Sequence, residues 1–364
     1  MFQLQDRLQK ALRTKRSGNA SGVLLISAGG LGDTVLFSLL VPRFAELAED
    51  GETITILLRS DAAKMAFVMP PNVRVEAVDF KRLRRSLSYR RKVMTRLYQA
   101  HYRLAITTDY LRHPELDEAL IAATGAEQSI AMEPRSWPKH DKALNDNRQL
   151  YQRLFDSGPD HTDKVVRWTR FADWLCDNER PAPRVSLPDS ALPDPATNSV
   201  DVVIQPFSAV KAKQPPVELY QGIIASLPEA TSVAITGAPG DMNANPEFRE
   251  LMDIPNVVFD SSIFADLVPK LRAAQLVISV DTAAMHLAVA VGAPTLCLAS
   301  AAYVGEIVPY AAEITPDNAH FIYHDMECRG CLGSCIHPLD NGKFPCLAAI
   351  DHDRVIAEVK RLMA

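Results

Sequence analysis

Residues 276–298 (LVISVDTAAMHLAVAVGAPTLCL) constrain the fold more than any other stretch of the chain. An apolar, partly β-branched run over 276–280 predicts a buried strand. Asp281 or Thr282 can cap a helix, and Gly292 with Pro294 ends that helix before a second strand over 295–298. This is half of a parallel α/β unit. Ligands of open parallel sheets lie beyond the carboxyl ends of the strands. Asp281 and Thr282 therefore fall where chemistry is expected, beside helix N–H groups suited to an anion such as a diphosphate. A plainer reading also fits the spacing, with Asp281 only an N-cap and His286 an ordinary surface or core histidine.

The same alternation recurs along the chain. A strand over 22–27 runs into Ala28-Gly29-Gly30-Leu31-Gly32-Asp33-Thr34 and a helix over 35–48. Glycines there permit a tight turn and a close ligand, but the run is not the Gly-x-Gly-x-x-Gly fingerprint that a nucleotide-dependent oxidoreductase needs. Further strands are expected over 53–58, 73–78, 104–108 and 129–132, with helices over 61–69, 115–124 and 165–175. Residues 133–147 read as a loop. Prolines at 181, 183, 188, 193 and 195 mark a linker, after which strands over 200–205, 232–236 and 256–259 and a helix over 263–273 repeat the pattern. The expected organisation is a first domain over 1–185, a linker over 186–198, a second domain over 199–350 and a terminal helix over 351–364.

A chain of 364 residues can bury two cores of ordinary size. Its net charge of -5 argues against a general nucleic-acid binder. No apolar run reaches the roughly 18 to 20 residues of a membrane span, and the polar first 21 residues lack the apolar centre of a signal peptide, so a cytoplasmic location is expected. Residues 1–16 have a helical apolar period. Residues 81–103 hold nine Lys or Arg and no acid, either a solvated basic helix or a field suited to phosphorylated glycan or anionic lipid, which would place the protein peripherally on the inner membrane. Cys328, Cys331, Cys335 and Cys346 have the spacing and number of a tetrahedral zinc or iron site; free thiols or disulfides are the alternatives. With four protein ligands such a site would be structural.

Asp281-Thr282-Ala283-x-x-His286-Leu287-Ala288, followed by Gly292-x-Pro294-Thr295, resembles the donor-site motif of glycosyltransferase family 9, the ADP-heptose:lipopolysaccharide heptosyltransferases. Gly32-Asp33 with Pro42 is similar to the family's amino-terminal motif, whose aspartate is the proposed general base. Lys213, Pro216, Glu218 and Tyr220 match a further motif, with Ser208 as its hydroxyl and Lys211 as a rival to Lys213. Phe207 stands where a glycine is usual and Pro215 where a tryptophan is. Gly237 lies in a turn resembling the nucleotide-contacting loop. The resemblance implies a GT-B fold, with two Rossmann-like domains facing a central cleft, acceptor on the first and nucleotide sugar on the second. It implies inverting transfer of a heptose from ADP-heptose to a hydroxyl of lipopolysaccharide core or another cell-envelope glycan. A protein acceptor or another nucleotide sugar is an alternative within this class, and a non-catalytic membrane-docking scaffold is one outside it. By the same resemblance Asp33 is catalytic. Ser208, Lys213, Gly237, Asp281, Thr282, Ala283 and His286 bind donor, while Gly30, Gly32, Arg84 and Arg85 bind acceptor. No catalytic metal is expected, and no nucleic-acid partner.

Overall fold

The computed structural model describes Asp6 and residues 13–364, so most of the helical period expected over residues 1–16 lies outside the described residues. The chain divides into two compact units, residues 1–160 with 167–181 and residues 161–166 with 182–364.

The first unit contains strands β1 (Val23–Ser27), β2 (Ile54–Arg59), β3 (Arg74–Val78), β4 (Leu104–Thr107), β5 (Gln128–Met132) and β6 (Arg153–Phe155). They form one sheet in the order β3-β2-β1-β4-β5-β6, every pairing parallel. β1 is buried along its whole length and pairs on both sides, Val23 with Ile54 and with Leu104. Such a strand is covered on both faces, which is why its sequence is continuously apolar instead of alternating. The helices include α1 (Leu31–Ser38), α2 (Leu87–Gln99), α3 (Asp117–Thr124) and α4 (Lys164–Cys176), the last of which crosses from the second unit into the first. Leu97 of α2 and Leu120 and Ile121 of α3 close the core over Leu24 and Ile26.

The second unit repeats the plan with β7 (Val202–Gln205), β8 (Val233–Thr236), β9 (Val257–Asp260), β10 (Leu276–Val280), β11 (Thr295–Leu298) and β12 (Ala319–Ile322), ordered β12-β11-β10-β7-β8-β9. Its helices include α5 (Val217–Ser226), α6 (Phe264–Ala273), α7 (Ala283–Ala290) and α8 (His352–Leu362). Both sheets have the doubly wound order, in which the direction of chain progression reverses once. The reversal falls between β1 and β4 in the first unit and between β7 and β10 in the second. Loops leaving two such neighbouring strands part to opposite faces, opening a crevice at their carboxyl ends. Among the described residues no helix is long and apolar enough to cross a membrane.

Four expectations are corrected. The single helix expected over 35–48 is two, α1 and a short helix Val41–Ala45, because Pro42 has no amide for the Ser38 carbonyl and its ring would clash there. The expected loop over 133–147 contains the helix Asp141–Asp146. The basic stretch breaks after Arg85, where Ser86 caps α2 by accepting the Tyr89 amide at 3.3 Å. Nor is it wholly solvated: Arg90 is 1% exposed, pairs with Asp6 at 2.5 Å and donates to the Glu115 carbonyl at 3.0 Å. The edge strands β6 and β12 escape prediction because Arg153 is exposed and each run is short. The proline-rich residues 182–198 belong to the second unit, to which the Val185, Leu187 and Ala196 amides tie them through the carbonyls of Ile314, Ala290 and Pro269.

Beyond β4 and β5 the first unit buries an ion pair, Arg112 Nε to Glu118 Oε1 at 3.1 Å, with both side chains at most 1% exposed. Asn147 Nδ2 donates to the other Glu118 oxygen at 2.7 Å, and Arg112 donates to the Met132 carbonyl at 2.6 Å. Removing one partner would strand a buried charge. Glu118→Ala should therefore lower stability by about 3–5 kcal/mol, read as a fall in the urea midpoint of the first unit's unfolding.

Candidate functional site

In the second unit the crevice between β7 and β10 is furnished by the residues that end those strands. Gln205 closes β7 and is only 8% exposed. Its Oε1 accepts from Ser279 Oγ at 3.0 Å and from Thr282 Oγ1 at 2.7 Å, and its Nε2 donates to the Phe207 carbonyl at 2.6 Å. One side chain thus couples the two strand ends across the switch point. Thr282 is the N-cap residue of α7, yet with its hydroxyl committed to Gln205 it does not cap the helix. The expected side-chain cap is corrected for Asp281 as well, whose carboxylate goes to Lys213, Nζ to Oδ2 at 2.6 Å, with Nζ also on the Asp281 carbonyl at 3.1 Å. The Tyr303 ring lies 4.5 Å from the same ammonium. What remains at the head of α7 is the first turn of amides, which have no intrahelical acceptor, with a cation beside them.

The neighbouring positions have partners of their own. His286 is 2% exposed, and its Nδ1 is hydrogen-bonded to the Tyr310 hydroxyl at 2.7 Å, so it braces α7 from the core side. Ser208 Oγ accepts the Val210 amide at 3.2 Å, whereas Lys211 Nζ turns away to the Ala244 carbonyl. Gly237 follows β8, the strand paired with β7, and a Cβ there would stand 2.6 Å from the Phe207 ring. Phe207 is buried against Phe248 with centroids 5.1 Å apart, so the bulk that replaces an expected glycine at 207 is accommodated by the glycine at 237.

In the first unit the matching crevice holds Asp33. Gly30 is the N-cap of α1 and Asp33 lies three residues on, where its Oδ2 accepts the Gly30 amide at 2.6 Å. Glycine is needed at 29, where a Cβ would come within 2.5 Å of the Asp33 Cβ; at 30 the contact would be an ordinary 3.7 Å. Gly32 is in the first turn of the same helix. From just beyond β4, Asp109 reaches across to accept the Ala28 amide at 2.6 Å. Asp117, buried, accepts the His113 amide at 2.6 Å, and burial, with the charge of Asp109 next, pushes its carboxyl up to about 7. Arg84 and Arg85 are exposed on the turn before α2. Arg84 is close enough to His113 to act with burial and His140 in lowering the pKa of that imidazole.

All four cysteines of the terminal run are free, and among the described residues no group of three His, Cys, Asp or Glu is placed to hold a metal ion. Cys346 is buried and accepts the Ala301 amide at 3.4 Å. Partial burial and then a hydrogen bond with Cys335 push the Cys328 thiol up to about 11. A metal ion held by these cysteines would have to displace their protons, since the thiolate is the ligating form. The run instead packs beside Lys213: the Phe344 amide donates to the Ala212 carbonyl at 2.9 Å, and the Gly330 and Leu332 amides to the carbonyls of Ala301 and Ala302 at 2.8 Å.

Gln205, Tyr303, Tyr310 and Asp109 are absent from the sequence-derived site. Gln205 and Asp109 were visible there only as polar residues at the ends of apolar strands. Gly237→Ala should overpack the Phe207 contact and cost about 1–3 kcal/mol, seen as a lower urea midpoint for the second unit.

Residues 137–329, just over half of the chain, match the model of glycosyltransferase family 9 (heptosyltransferase). No curated protein sequence matches the chain. Among solved structures it resembles a family 9 glycosyltransferase from Veillonella parvula, with a TM-score of 0.69 at 16% identity over 95% of this chain and 97% of that one. It also resembles the E. coli heptosyltransferase WaaC with ADP, with a TM-score of 0.70 at 17% identity over 93% and 99%. The iron-containing dodecameric glycosyltransferase TibC from E. coli gives 0.54 at 14% identity over 97% and 79%. With two parallel six-stranded units of Rossmann type and a family match spanning the donor motif, the chain belongs to glycosyltransferase family 9 and is a glycosyltransferase of the GT-B fold.

Proposed function

We propose that the protein is an inverting transferase that moves a heptose from ADP-heptose to a hydroxyl of lipopolysaccharide core or another cell-envelope glycan, with donor on the second unit and acceptor on the first. The observation that carries this reading is the Lys213–Asp281 pair at the head of α7, a nearly buried cation and carboxylate at the switch point of a doubly wound sheet. A diphosphate seated there meets the Lys213 ammonium and the first amides of α7, Ala283 included. Asp281, relieved of part of its partner, then accepts from the sugar hydroxyls. Ser208 and the turn at Gly237 flank the nucleotide, and His286 supports α7 from below. E. coli WaaC, a fold relative, has been solved with ADP and with ADP-2-deoxy-2-fluoro heptose, which supports an ADP-linked donor here.

In the transfer, the acceptor oxygen attacks the anomeric carbon from the face opposite the diphosphate and gives its proton to Asp33. The carbon–oxygen bond to the diphosphate breaks, its electron pair leaves on ADP, and a single displacement inverts the centre. Lys213 and the head of α7 stabilise the charge developing on ADP. Gly30 and Gly32 let the acceptor approach Asp33 closely, while the exposed Arg84 and Arg85 attract a phosphorylated acceptor or the anionic cytoplasmic surface of the membrane that carries it.

Calorimetry with ADP, UDP and GDP tests the donor. ADP should bind most tightly, and Lys213→Ala should weaken it about 10- to 100-fold, the scale of a lost charged hydrogen bond. Asp33→Asn should leave ADP affinity unchanged and lower kcat by about 10²- to 10⁴-fold. Preference for another nucleotide would replace the donor, and an active Asp33→Asn would remove the base. Binding to vesicles of anionic lipid should weaken in Arg84→Gln/Arg85→Gln and with rising salt; insensitivity to both would exclude the surface role of the two arginines.

A further inference from the structure

The turn that presents Asp33 is held at both ends by hydrogen bonds to carboxylates. At its far end Asp33 Oδ2 takes the Gly30 amide at 2.6 Å. At its near end, where the chain has just left β1, the Ala28 amide donates to Asp109 Oδ2, also at 2.6 Å. Asp109 follows the adjacent strand, two residues beyond the end of β4, and is 7% exposed. Its own placement is rigid. The preceding Thr108 donates to the Ile26 carbonyl through its amide at 3.0 Å and its hydroxyl at 3.1 Å, and the Thr108 carbonyl accepts Trp168 Nε1 at 2.8 Å. Trp168 is in turn wedged edge-on to Phe37 of α1, with centroids 5.2 Å apart.

From this geometry we infer that Asp109 is a positioning residue for the transfer, acting through the Ala28 amide to fix the turn on which Asp33 is presented. The inference rests on the reading of Asp33 as the base. A carboxyl oxygen at 2.6 Å accepts directly from the backbone amide and fixes where that amide lies. Here that bond spans the point where the sheet has no loop of its own to brace the turn, since the chain departs from β1 and β4 in opposite directions. What Asp109 supplies is an oxygen at a fixed position. An asparagine can supply one in the same place; a glutamate keeps the charge but moves the oxygens a methylene away.

The test compares Asp109→Asn, Asp109→Glu and Asp109→Ala by kcat, donor KM, ADP calorimetry and hydrogen exchange of the peptide spanning residues 26–30. Asp109→Asn should stay within about 3-fold of the parent, while Asp109→Glu and Asp109→Ala should lose about 100-fold in kcat, the scale of a misplacement near 1 Å. Their ADP affinity should be unchanged and their exchange over 26–30 faster. Should Asp109→Ala fail to fold, Asp109→Glu decides. Parental kcat in Asp109→Glu, or a loss in Asp109→Asn equal to that in Asp109→Ala, would overturn the inference, the latter by showing that charge and not position matters. Asp33→Asn in the same assay separates the two readings: full activity there removes the base and this inference with it, whereas inactivity there beside a fully active Asp109→Glu removes the positioning role alone.

Discussion

The candidate site residues of both units hang on the reversal of strand order between β1 and β4 and between β7 and β10. Parallel strands satisfy their backbone groups along their length, so polar side chains find partners and exposure only at the strand ends. Where neighbouring strands send their loops to opposite faces, those ends are left open, and Asp33 with Asp109 and Lys213 with Asp281 occupy the two openings. Neither pair is near in sequence; 76 residues separate the aspartates, 109 against 33, and 68 separate Lys213 from Asp281.

The cost of such an arrangement is visible in how the charges are kept. Lys213 and Asp281 are 11% and 7% exposed, and two charges so placed need each other and further hydrogen bonds to offset desolvation. The Asp281 carbonyl and the Tyr303 ring supply these on the lysine side, and Gln205 holds the strand ends at the spacing the pair requires. A site held in this way has its electrostatics fixed before any ligand arrives, which is the condition under which fixed charges stabilise a transition state most effectively. The first unit uses the same economy differently, with backbone amides taken up by Asp109, Asp33 and Asp117.

Much of this was legible in the sequence. The central strands were, because being covered on both faces makes them continuously apolar, and so was the strand-helix-strand run around Asp281 to Pro294, because strand, helix and glycine stop follow one another locally. The edge strands β6 and β12 were not, since a short half-exposed strand carries no period of its own. Arg90 illustrates the limit from the other side. Nothing in a run of nine cations distinguishes the one that is buried from those that are solvated, because its partner Asp6 is 84 residues away.

The sequence by itself determined the α/β class, the repeat of the plan in two halves and the family, because these follow from local periodicity, turn chemistry and short motifs. The tertiary structure decided which partners the motif residues have. It committed Asp281 to Lys213 in place of the helix cap, withdrew the Thr282 hydroxyl to Gln205, sank His286 against Tyr310 and brought Asp109 to the turn of Asp33. Those choices depend on which distant strand ends become neighbours, and strand order is set by how the whole chain packs, which no single segment encodes.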